Sequence, residues 1–227
     1  MPAWSQDVYE FLARNCIIKV FIFKATGPLS YLAGAKERNE INMVELHYMP
    51  FEKLEAGLDV IRASPKDQGR LELIVRRPQS GEREILEEGQ LDLIQGLVGD
   101  NWIARGSTQT VDGRAHPDLQ ITVMNTRLIA LLAQGKSHWQ LAGDQLFIDF
   151  DLSIHNLSSG ARVALGEAII EITEKPHTGC AKFSGRFGPD ALKFVNSPVG
   201  KELRLRGLNA KVVQPGLIRV GDLARKI

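Results

Sequence analysis

Cysteine is scarce in this sequence: Cys16 and Cys180 are the only two in 227 residues. Two thiols so far apart are too few for a disulfide-stabilised scaffold, and they lack the paired spacing of a zinc finger. So low a number is typical of proteins in a reducing compartment. We therefore expect a cytoplasmic protein without structural disulfides.

A long hydrophobic run is also absent. No run reaches the roughly 20 apolar residues that a membrane-spanning helix requires, and Lys19 interrupts the nearest candidate, residues 16–23. Asp7 and Glu10 precede that segment, where a signal peptide would carry basic residues. We therefore expect neither a membrane partner nor an export signal.

The sequence has no excess of charge of either sign. It contains 28 Lys and Arg residues against 27 Asp and Glu residues, which gives a net charge of +1. Such a balance creates no overall attraction to nucleic acid, so any anion site has to be local. With 44% hydrophobic and 24% charged residues, the chain has the composition of an ordinary folded protein.

The first part of the chain differs in pattern from the rest. Residues 1–42 hold Cys16, a Phe/Ile cluster and the polar stretch 36–40, whereas coherent patterning begins near Met43. We interpret residues 1–42 as an N-terminal extension and residues 43–227 as the main domain. An alternative interpretation makes Met43 the functional start of the protein.

Short strands dominate the pattern of the main domain. Alternating and branched residues predict strands at 70–76, 83–86, 119–123, 145–150, 162–165, 168–173, 202–205, 210–213 and 216–220. Helical spacing predicts helices at 51–63, 126–133 and 190–195, and a helix or turn at 91–97. Asn125 is a candidate cap for the second helix. Closely spaced strands with glycine turns predict a mainly β, barrel-like fold with a few short helices.

Cys180 lies in the most distinctive segment of the chain, residues 175–188. Proline and glycine before it break regular structure, which predicts that the thiol lies on a loop. Lys182 and Arg186 follow closely. Nearby positive charge favours the thiolate, which is both a nucleophile and a soft metal ligand. The alternative interpretation of an isolated cysteine is a small buried apolar residue.

Four basic side chains form a second group: Lys182, Arg186, Arg204 and Arg206. Alternation along the predicted strand places Arg204 and Arg206 on one face. Planar guanidinium groups suit phosphate or carboxylate ligands, so the group is a candidate anion site. A solvated strand face is the alternative.

Three histidines, His116, His155 and His177, lie in predicted loops. His177 precedes Cys180 by three residues, but no separate residue that would orient such a thiol–imidazole pair is evident. The sequence has no His-x-Glu or Cys-x-x-Cys pattern, so it does not indicate a zinc site at these histidines. The Gly-Asp pairs occur outside any nucleotide-binding motif and are interpreted as turns: 99–100, 143–144 and 221–222.

Several segments together resemble the MOSC family, named after the C-terminal part of molybdenum cofactor sulfurase. These segments are 96–100, 151–157, 176–183 with 186–188, 204–210 and 216–222. The resemblance runs from about residue 70 to the end and is strongest to small, stand-alone bacterial members. It implies a MOSC-type β-barrel and a role in the chemistry of the molybdenum cofactor, a molybdopterin.

The resemblance also implies roles for individual residues. A cysteine of this loop ligates molybdenum in the amidoxime-reducing components and the 6-hydroxylaminopurine-resistance proteins, and the matching residue is Cys180. Basic residues are implied to hold the phosphate of the pterin: Lys182, Arg186, Arg204 and Arg206. Two amides are implied to contact the pterin or shape the loop: Asn156 and Asn209. His155 departs from the pattern, because the hydroxylaminopurine-resistance type usually has Glu there.

The implied reaction is a two-electron reduction of an N-hydroxylated or N-oxide-type small molecule. The sequence has no ferredoxin-like cysteine set, so a partner reductase is the expected electron donor. It has no aminotransferase-like domain, so pyridoxal phosphate is not expected. One alternative function is a sulfur carrier or cofactor-delivery protein with a persulfide at Cys180. Another is a structural or regulatory barrel with an inert thiol.

Overall fold

The computed structural model describes residues 48–227. The extension predicted for residues 1–42 and the domain start at residue 43 lie outside the described residues. The strands are β1 (Gln68–Arg76), β2 (Glu84–Leu86), β3 (Glu88–Asp92), β4 (Gly96–Leu97), β5 (Ile121–Asn125), β6 (Leu146–Asp149), β7 (Arg162–Leu165), β8 (Ala168–Ile172), β9 (Leu208–Gln214), β10 (Gly216–Arg219) and β11 (Leu223–Lys226). The α-helices are α1 (Phe51–Ala56), α2 (Leu58–Arg62), α3 (Trp102–Arg105), α4 (Thr126–Ala133), α5 (Ala181–Phe187), α6 (Pro189–Asn196) and α7 (Pro198–Glu202).

Seven strands of residues 48–227 form a closed barrel in the order β11-β7-β8-β9-β5-β6-β1. Antiparallel pairing of β1 with β11 closes the ring, and β2 pairs with β1 as a hairpin. A smaller sheet has the order β10-β3-β4. Closure removes exposed strand edges, which is why strands this short are stable here. The mainly β, barrel-like fold predicted from the sequence is confirmed.

The core of the domain is filled by aliphatic side chains from the barrel strands. Leu71, Ile148, Leu165 and Ile170 are at most 1% exposed and belong to one continuous cluster. Along β8, buried and partly buried side chains alternate, as the pleat of a strand requires. The alternation of residues 168–173 therefore predicted β8 correctly.

Asn125 connects β5 to α4 and confirms the predicted cap. Its Oδ1 accepts hydrogen bonds from the backbone N–H groups of Arg127 at 2.8 Å and Leu128 at 3.1 Å. Its Nδ2 donates to the carbonyl of Phe150 at 2.7 Å and to Oγ of Ser64 at 2.8 Å. One buried amide therefore begins the helix and fixes it to β6 and α2.

Of the helix or turn predicted at 91–97, the turn is confirmed and the helix is wrong, because residues 93–95 connect β3 to β4 as a hairpin. Oδ1 of Asp92 accepts hydrogen bonds from the backbone N–H groups of Ile94 and Gln95, both at 2.8 Å. Such an Asx turn reverses the chain without helical residues. Gly96 follows with φ of +72°, a conformation that favours glycine.

The predicted strand at 202–205 is also wrong. Ser197 caps α7 through a hydrogen bond from the N–H of Gly200 at 3.0 Å, and Pro198 occupies the first helical turn. The chain then turns, with the N–H of Leu205 donating to the carbonyl of Gly200 at 2.8 Å. The Ser197 cap and Pro198 therefore start a helix and a turn here, even though the residues that follow alternate as in a strand.

Helices α5, α6 and α7 occupy the long connection between β8 and β9. The helix predicted at 190–195 is confirmed as α6, whereas the helix predicted at 51–63 is divided into α1 and α2 at Gly57. Within residues 48–227, no helix is long and apolar enough to cross a membrane.

Candidate functional site

A cavity of about 730 Å³ brings together segments that are distant in sequence. The β1–β2 loop, α3, the loop before Cys180, α5 and the turn before β9 all contribute to its wall. Among the described residues that line it, none is Asp or Glu, whereas six are basic: Arg77, Arg83, Arg105, Lys182, Arg186 and Arg206. A concave surface with this charge attracts anions.

Cys180 lines this cavity with an exposed side chain. The preceding residue, Gly179, is held by Asn196, whose Oδ1 accepts from the Gly179 N–H at 3.0 Å. A Cβ at Gly179 would lie 2.8 Å from Leu192 Cδ1 and 2.9 Å from Val195 Cγ2, so a larger residue requires these side chains of α6 to shift. The prediction that Cys180 lies on a loop is confirmed, although residues 181–187 of the same segment form α5.

Arg206 is buried in the wall of the cavity, with 7% of its surface exposed. Its Nη1 donates to Oδ2 of Asp144 at 2.7 Å, and its Nη2 donates to the carbonyl of Ala142 at 3.1 Å. The guanidinium also lies 4.9 Å from the ring centroid of Phe183. Its buried Nε has no hydrogen-bond partner in the described part of the chain. These bonds use two of the five N–H groups of Arg206, and the Nε–H is not exposed to solvent.

Asp144 also faces His177, which lines the same cavity. Oδ1 of Asp144 lies 3.4 Å from Nδ1 of His177, a contact too poorly aligned for a hydrogen bond. Burial raises the pKa of Asp144, although Arg206 opposes the shift. Burial also lowers the pKa of His177 well below 6.5, and Arg206 and Arg77 lower it further. His177 is therefore neutral at neutral pH.

Arg77 and Asp100 form a second buried pair behind the cavity. Nε and Nη2 of Arg77 donate to the two carboxylate oxygens of Asp100, each at 2.8 Å. Nη1 of Arg77 donates to the carbonyl of Gly143 at 2.9 Å. Asp100 also accepts from the backbone N–H groups of Arg77 and Trp102, both at 3.0 Å. The pair fixes α3 to the end of β1.

The remaining four basic residues of the cavity make no ion pair with a carboxylate between residues 48 and 227: Arg83, Arg105, Lys182 and Arg186. Nη1 of Arg186 donates to the carbonyl of Leu141 at 2.6 Å. Burial lowers the pKa of Arg83, and the neighbouring charges of Arg186 and Arg77 lower it further. Crowded, unneutralised guanidinium groups are a suitable site for a phosphate.

The structure brings together most of the residues that the sequence predicted. Those that line the cavity are Cys180, Lys182, Arg186, Arg206 and Asn209. Nδ2 of Asn209 also donates to the carbonyl of Lys175 at 3.1 Å, so this amide supports the loop before Cys180. The predicted cysteine and phosphate ligands are thus neighbours in space, although their roles stay predictions.

Two predicted site residues do not line the cavity. Arg204 adopts φ of +48° and donates to the carbonyls of Leu152 and Leu157. Because residues 202–205 are not a strand, the prediction that Arg204 and Arg206 share a strand face is wrong. Asn156 donates to the carbonyls of Lys66 and Asp151, both at 2.8 Å, so it fixes a loop.

Sequence reasoning missed five residues that build this site: Arg77, Arg83, Arg105, Asp100 and Asp144. The two carboxylates belong to Gly-Asp pairs that were interpreted as turns, and both are buried beneath the cavity arginines. No three His, Cys, Asp or Glu side chains in the described region are grouped to hold a metal ion. Cys180 is thus a single candidate ligand in a cationic cavity.

No family model and no curated protein matches the chain. Among solved structures, it is similar to the YuaD protein from Bacillus subtilis, with 17% identity, a TM-score of 0.49, and coverage of 69% of this chain and 94% of that one. It is also similar to YiiM from Escherichia coli, with 18% identity, a TM-score of 0.46, and coverage of 70% and 69%. For YiiM from Geobacillus stearothermophilus the identity is 13%, the TM-score is 0.44, and the coverage is 70% and 73%. Likenesses of this size carry no conclusion about ligand or activity.

Proposed function

We propose that this chain is a MOSC-type protein that binds the molybdenum cofactor through Cys180 and reduces N-hydroxylated or N-oxide-type small molecules. The observation that carries the proposal is the position of an exposed thiol in a cavity with six basic and no acidic lining residues among those described. A thiolate suits molybdenum as a soft ligand, and a phosphate on the pterin suits the basic wall.

The side chains present fit such a cofactor. Lys182 and Arg186 have no carboxylate partner within residues 48–227, and the buried Nε of Arg206 has no hydrogen-bond partner there. Lys182, Arg186 and Arg206 would hold the phosphate, and Cys180 would hold the metal.

When bound, the cofactor supplies a two-electron redox centre, and the electrons come from a partner reductase. The net reaction of an N-hydroxylated substrate consumes two electrons and two protons, breaks the N–O bond and releases water. The two protons come from solvent, because the lowered pKa of His177 makes its ring a poor proton carrier near neutral pH.

Metal analysis tests the proposal. The full chain is expressed in a host with an intact cofactor pathway, beside Cys180→Ala and Cys16→Ala. We expect molybdenum and pterin in the wild type and in Cys16→Ala, and neither in Cys180→Ala. Because the Cys180 side chain is exposed, its loss should leave thermal stability almost unchanged. Wild-type protein without molybdenum, or an undiminished metal content in Cys180→Ala, would overturn the proposal.

The exposed thiol also supports a second candidate, a carrier whose Cys180 thiolate takes the outer sulfur of a donor persulfide, which leaves as a thiolate. Exposure is what transfer between proteins requires, because the donor has to reach the sulfur. Intact-mass measurement after incubation with a sulfur donor distinguishes the two. A gain of one sulfur atom that is lost in Cys180→Ala, in protein free of pterin, favours the carrier.

A further inference from the structure

Three arginines of the cavity wall are held by one short segment of the chain, residues 141–143. Its three consecutive carbonyls accept hydrogen bonds from Nη1 of Arg186 at 2.6 Å, Nη2 of Arg206 at 3.1 Å and Nη1 of Arg77 at 2.9 Å. A backbone carbonyl is a hydrogen-bond acceptor without a full charge, so the segment positions these guanidinium groups but does not neutralise them.

A fourth arginine, Arg83, reaches the same segment from the β1–β2 loop. The position that a Cβ would have on Gly143 lies 3.2 Å from Nη2 of Arg83 and 3.4 Å from Nη1 of Arg186. Two nitrogens so close to one point are near enough for a single oxyanion to accept hydrogen bonds from both. Arg83 and Arg186 are therefore neighbours, although they are far apart in sequence.

The pair of Arg83 and Arg186 has no counterion within residues 48–227. Asp100 pairs with Arg77 and Asp144 pairs with Arg206, whereas no carboxylate of this region forms an ion pair with Arg83 or Arg186. Nη1 of Arg83 donates to the carbonyl of Glu82, and its Nη2 makes no hydrogen bond to the described residues. Burial lowers the pKa of Arg83, and the nearby charge of Arg186 lowers it further.

Gly143 keeps the space between the two guanidinium groups open. Its φ of +87° is a conformation that favours glycine. A Cβ at this position would project toward both nitrogens, into the space that a ligand oxygen needs. The site therefore combines two charged donors with room for an acceptor between them.

We propose that Arg83 and Arg186 form a clamp for a single phosphate group, which lies over Gly143 and joins the β1–β2 loop to α5. A phosphate monoester carries about two negative charges at neutral pH, so one group balances both arginines. Guanidinium groups also match phosphate oxygens in geometry. The phosphate belongs either to the cofactor or to another phosphate ester, and only the first case rests on the proposed function.

Isothermal titration calorimetry with inorganic phosphate tests the clamp without any activity measurement. The protein is the full chain from a host that lacks the cofactor pathway, and thermal denaturation confirms that each variant is folded. Arg83→Gln and Arg186→Gln should each weaken phosphate binding about 10–100-fold, because each loses a charge-assisted hydrogen bond. Arg76→Gln removes the same charge from the end of β1, outside the cavity, and should leave the affinity unchanged. Phosphate binding that is as tight in Arg83→Gln as in the wild type would overturn the clamp.

Arg105→Gln distinguishes the clamp from the general charge of the cavity. Arg105 lines the same cavity, but it does not lie within 4 Å of the Cβ position of Gly143. Its charge acts on the phosphate only from a distance, so its loss should weaken binding by less than about threefold. An effect as large as that of Arg83→Gln would contradict the proposal, because the total charge would then hold the anion.

Gly143→Ala tests the position of the phosphate, and Gly160→Ala is its matched control. The two glycines have φ of +87° and +83°, so both variants carry a similar backbone strain. Nothing lies within 4 Å of a Cβ at Gly160. Only Gly143→Ala should therefore lose phosphate affinity. If it bound phosphate as tightly as Gly160→Ala, the anion would not lie over Gly143 and the clamp would be wrong.

Protein loaded with cofactor identifies the source of the phosphate. If the clamp holds the phosphate of the cofactor, loaded protein should no longer bind inorganic phosphate. If loaded protein binds it as tightly as cofactor-free protein, the clamp serves another phosphate ester. Wild type that acquires no molybdenum but binds phosphate through Arg83 and Arg186 would overturn the proposed function and leave the clamp standing. Wild type that acquires molybdenum but shows no phosphate binding in its cofactor-free form would overturn the clamp alone.

Discussion

Nδ1 of His177 lies 3.4 Å from Oδ1 of Asp144, and neither atom has a hydrogen-bond partner between residues 48 and 227. The other oxygen of Asp144 pairs with Arg206 at 2.7 Å. One buried carboxylate thus faces both an arginine and an imidazole of the cavity wall. Because burial and the nearby arginines lower the pKa of His177, the ring stays uncharged around neutral pH.

Replacing the imidazole should remove a pH dependence of stability. The folded-state pKa of His177 lies below its unfolded value of 6.5, so the unfolded state binds the proton first as the pH falls. The contribution to stability is complete above pH 6.5. It decreases below that pH by at most about 1.4 kcal/mol per pH unit. Urea denaturation of wild type and His177→Gln at several pH values measures the effect.

The difference in free energy of unfolding between these two proteins should be constant above pH 6.5 and should shift against the wild type below it. Asp144 acts in the opposite direction, because its raised pKa makes the folded state bind the proton first. Both proteins contain Asp144, so its own contribution largely cancels in the comparison. If the difference did not change with pH below 6.5, the lowered pKa of His177 would be contradicted.

Asp100→Asn should be among the most destabilising single changes in the domain. The substitution leaves the guanidinium of Arg77 buried without a counterion, for which a loss of about 3–5 kcal/mol is typical. Asp112→Asn is the matched control, because its pair with Arg114 is exposed and is worth at most about 1 kcal/mol. Urea denaturation of both variants gives the comparison. Similar losses would contradict a buried, structural role for the Arg77–Asp100 pair.

Asn125→Asp should separate the two roles of this side chain. Asp keeps the oxygen that accepts from the first turn of α4, but it replaces the donor with a buried carboxylate oxygen facing the carbonyl of Phe150, which adds the cost of an unpaired charge. Asn125→Ala loses both. We expect the cap to contribute about 1 kcal/mol and the buried donor a further 1–3 kcal/mol. Thermal denaturation measures the losses. If Asn125→Ala were as stable as the wild type, both roles would be excluded.

The sequence predicted the features that depend on neighbouring residues. Asn125 lies directly before a helical pattern, so its cap was evident, and the alternation of residues 168–173 predicted β8. The same local reasoning failed at residues 202–205, where a strand-like pattern follows a Ser-Pro cap. There the capped helix and its turn take precedence over side-chain alternation.

The cationic cavity depends on contacts that local patterns do not contain. Asp100 pairs with a residue 23 positions away, and Asp144 pairs with Arg206, 62 positions away. A Gly-Asp pair has the same appearance in sequence whether the carboxylate is solvated or buried beneath an arginine. Cys180 was identifiable because its own segment combines proline, glycine and basic residues. Nothing in the sequence around Arg83 and Arg105 distinguishes them from ordinary surface arginines.

Two glycines on either side of Cys180 give the sharpest test of how the thiol is positioned. Gly179→Ala places a Cβ 2.8 Å from Leu192 Cδ1 and 2.9 Å from Val195 Cγ2, so either these side chains or the loop have to shift. We expect a loss of about 1–3 kcal/mol in the free energy of unfolding, together with a lower molybdenum content. Gly185→Ala is the matched control, since nothing lies within 4 Å of its Cβ and alanine favours the helix by up to about 1 kcal/mol. Urea denaturation and metal analysis of both variants measure the two effects. If Gly179→Ala retained the stability and the metal content of Gly185→Ala, the close approach of the loop to α6 would not be what positions Cys180.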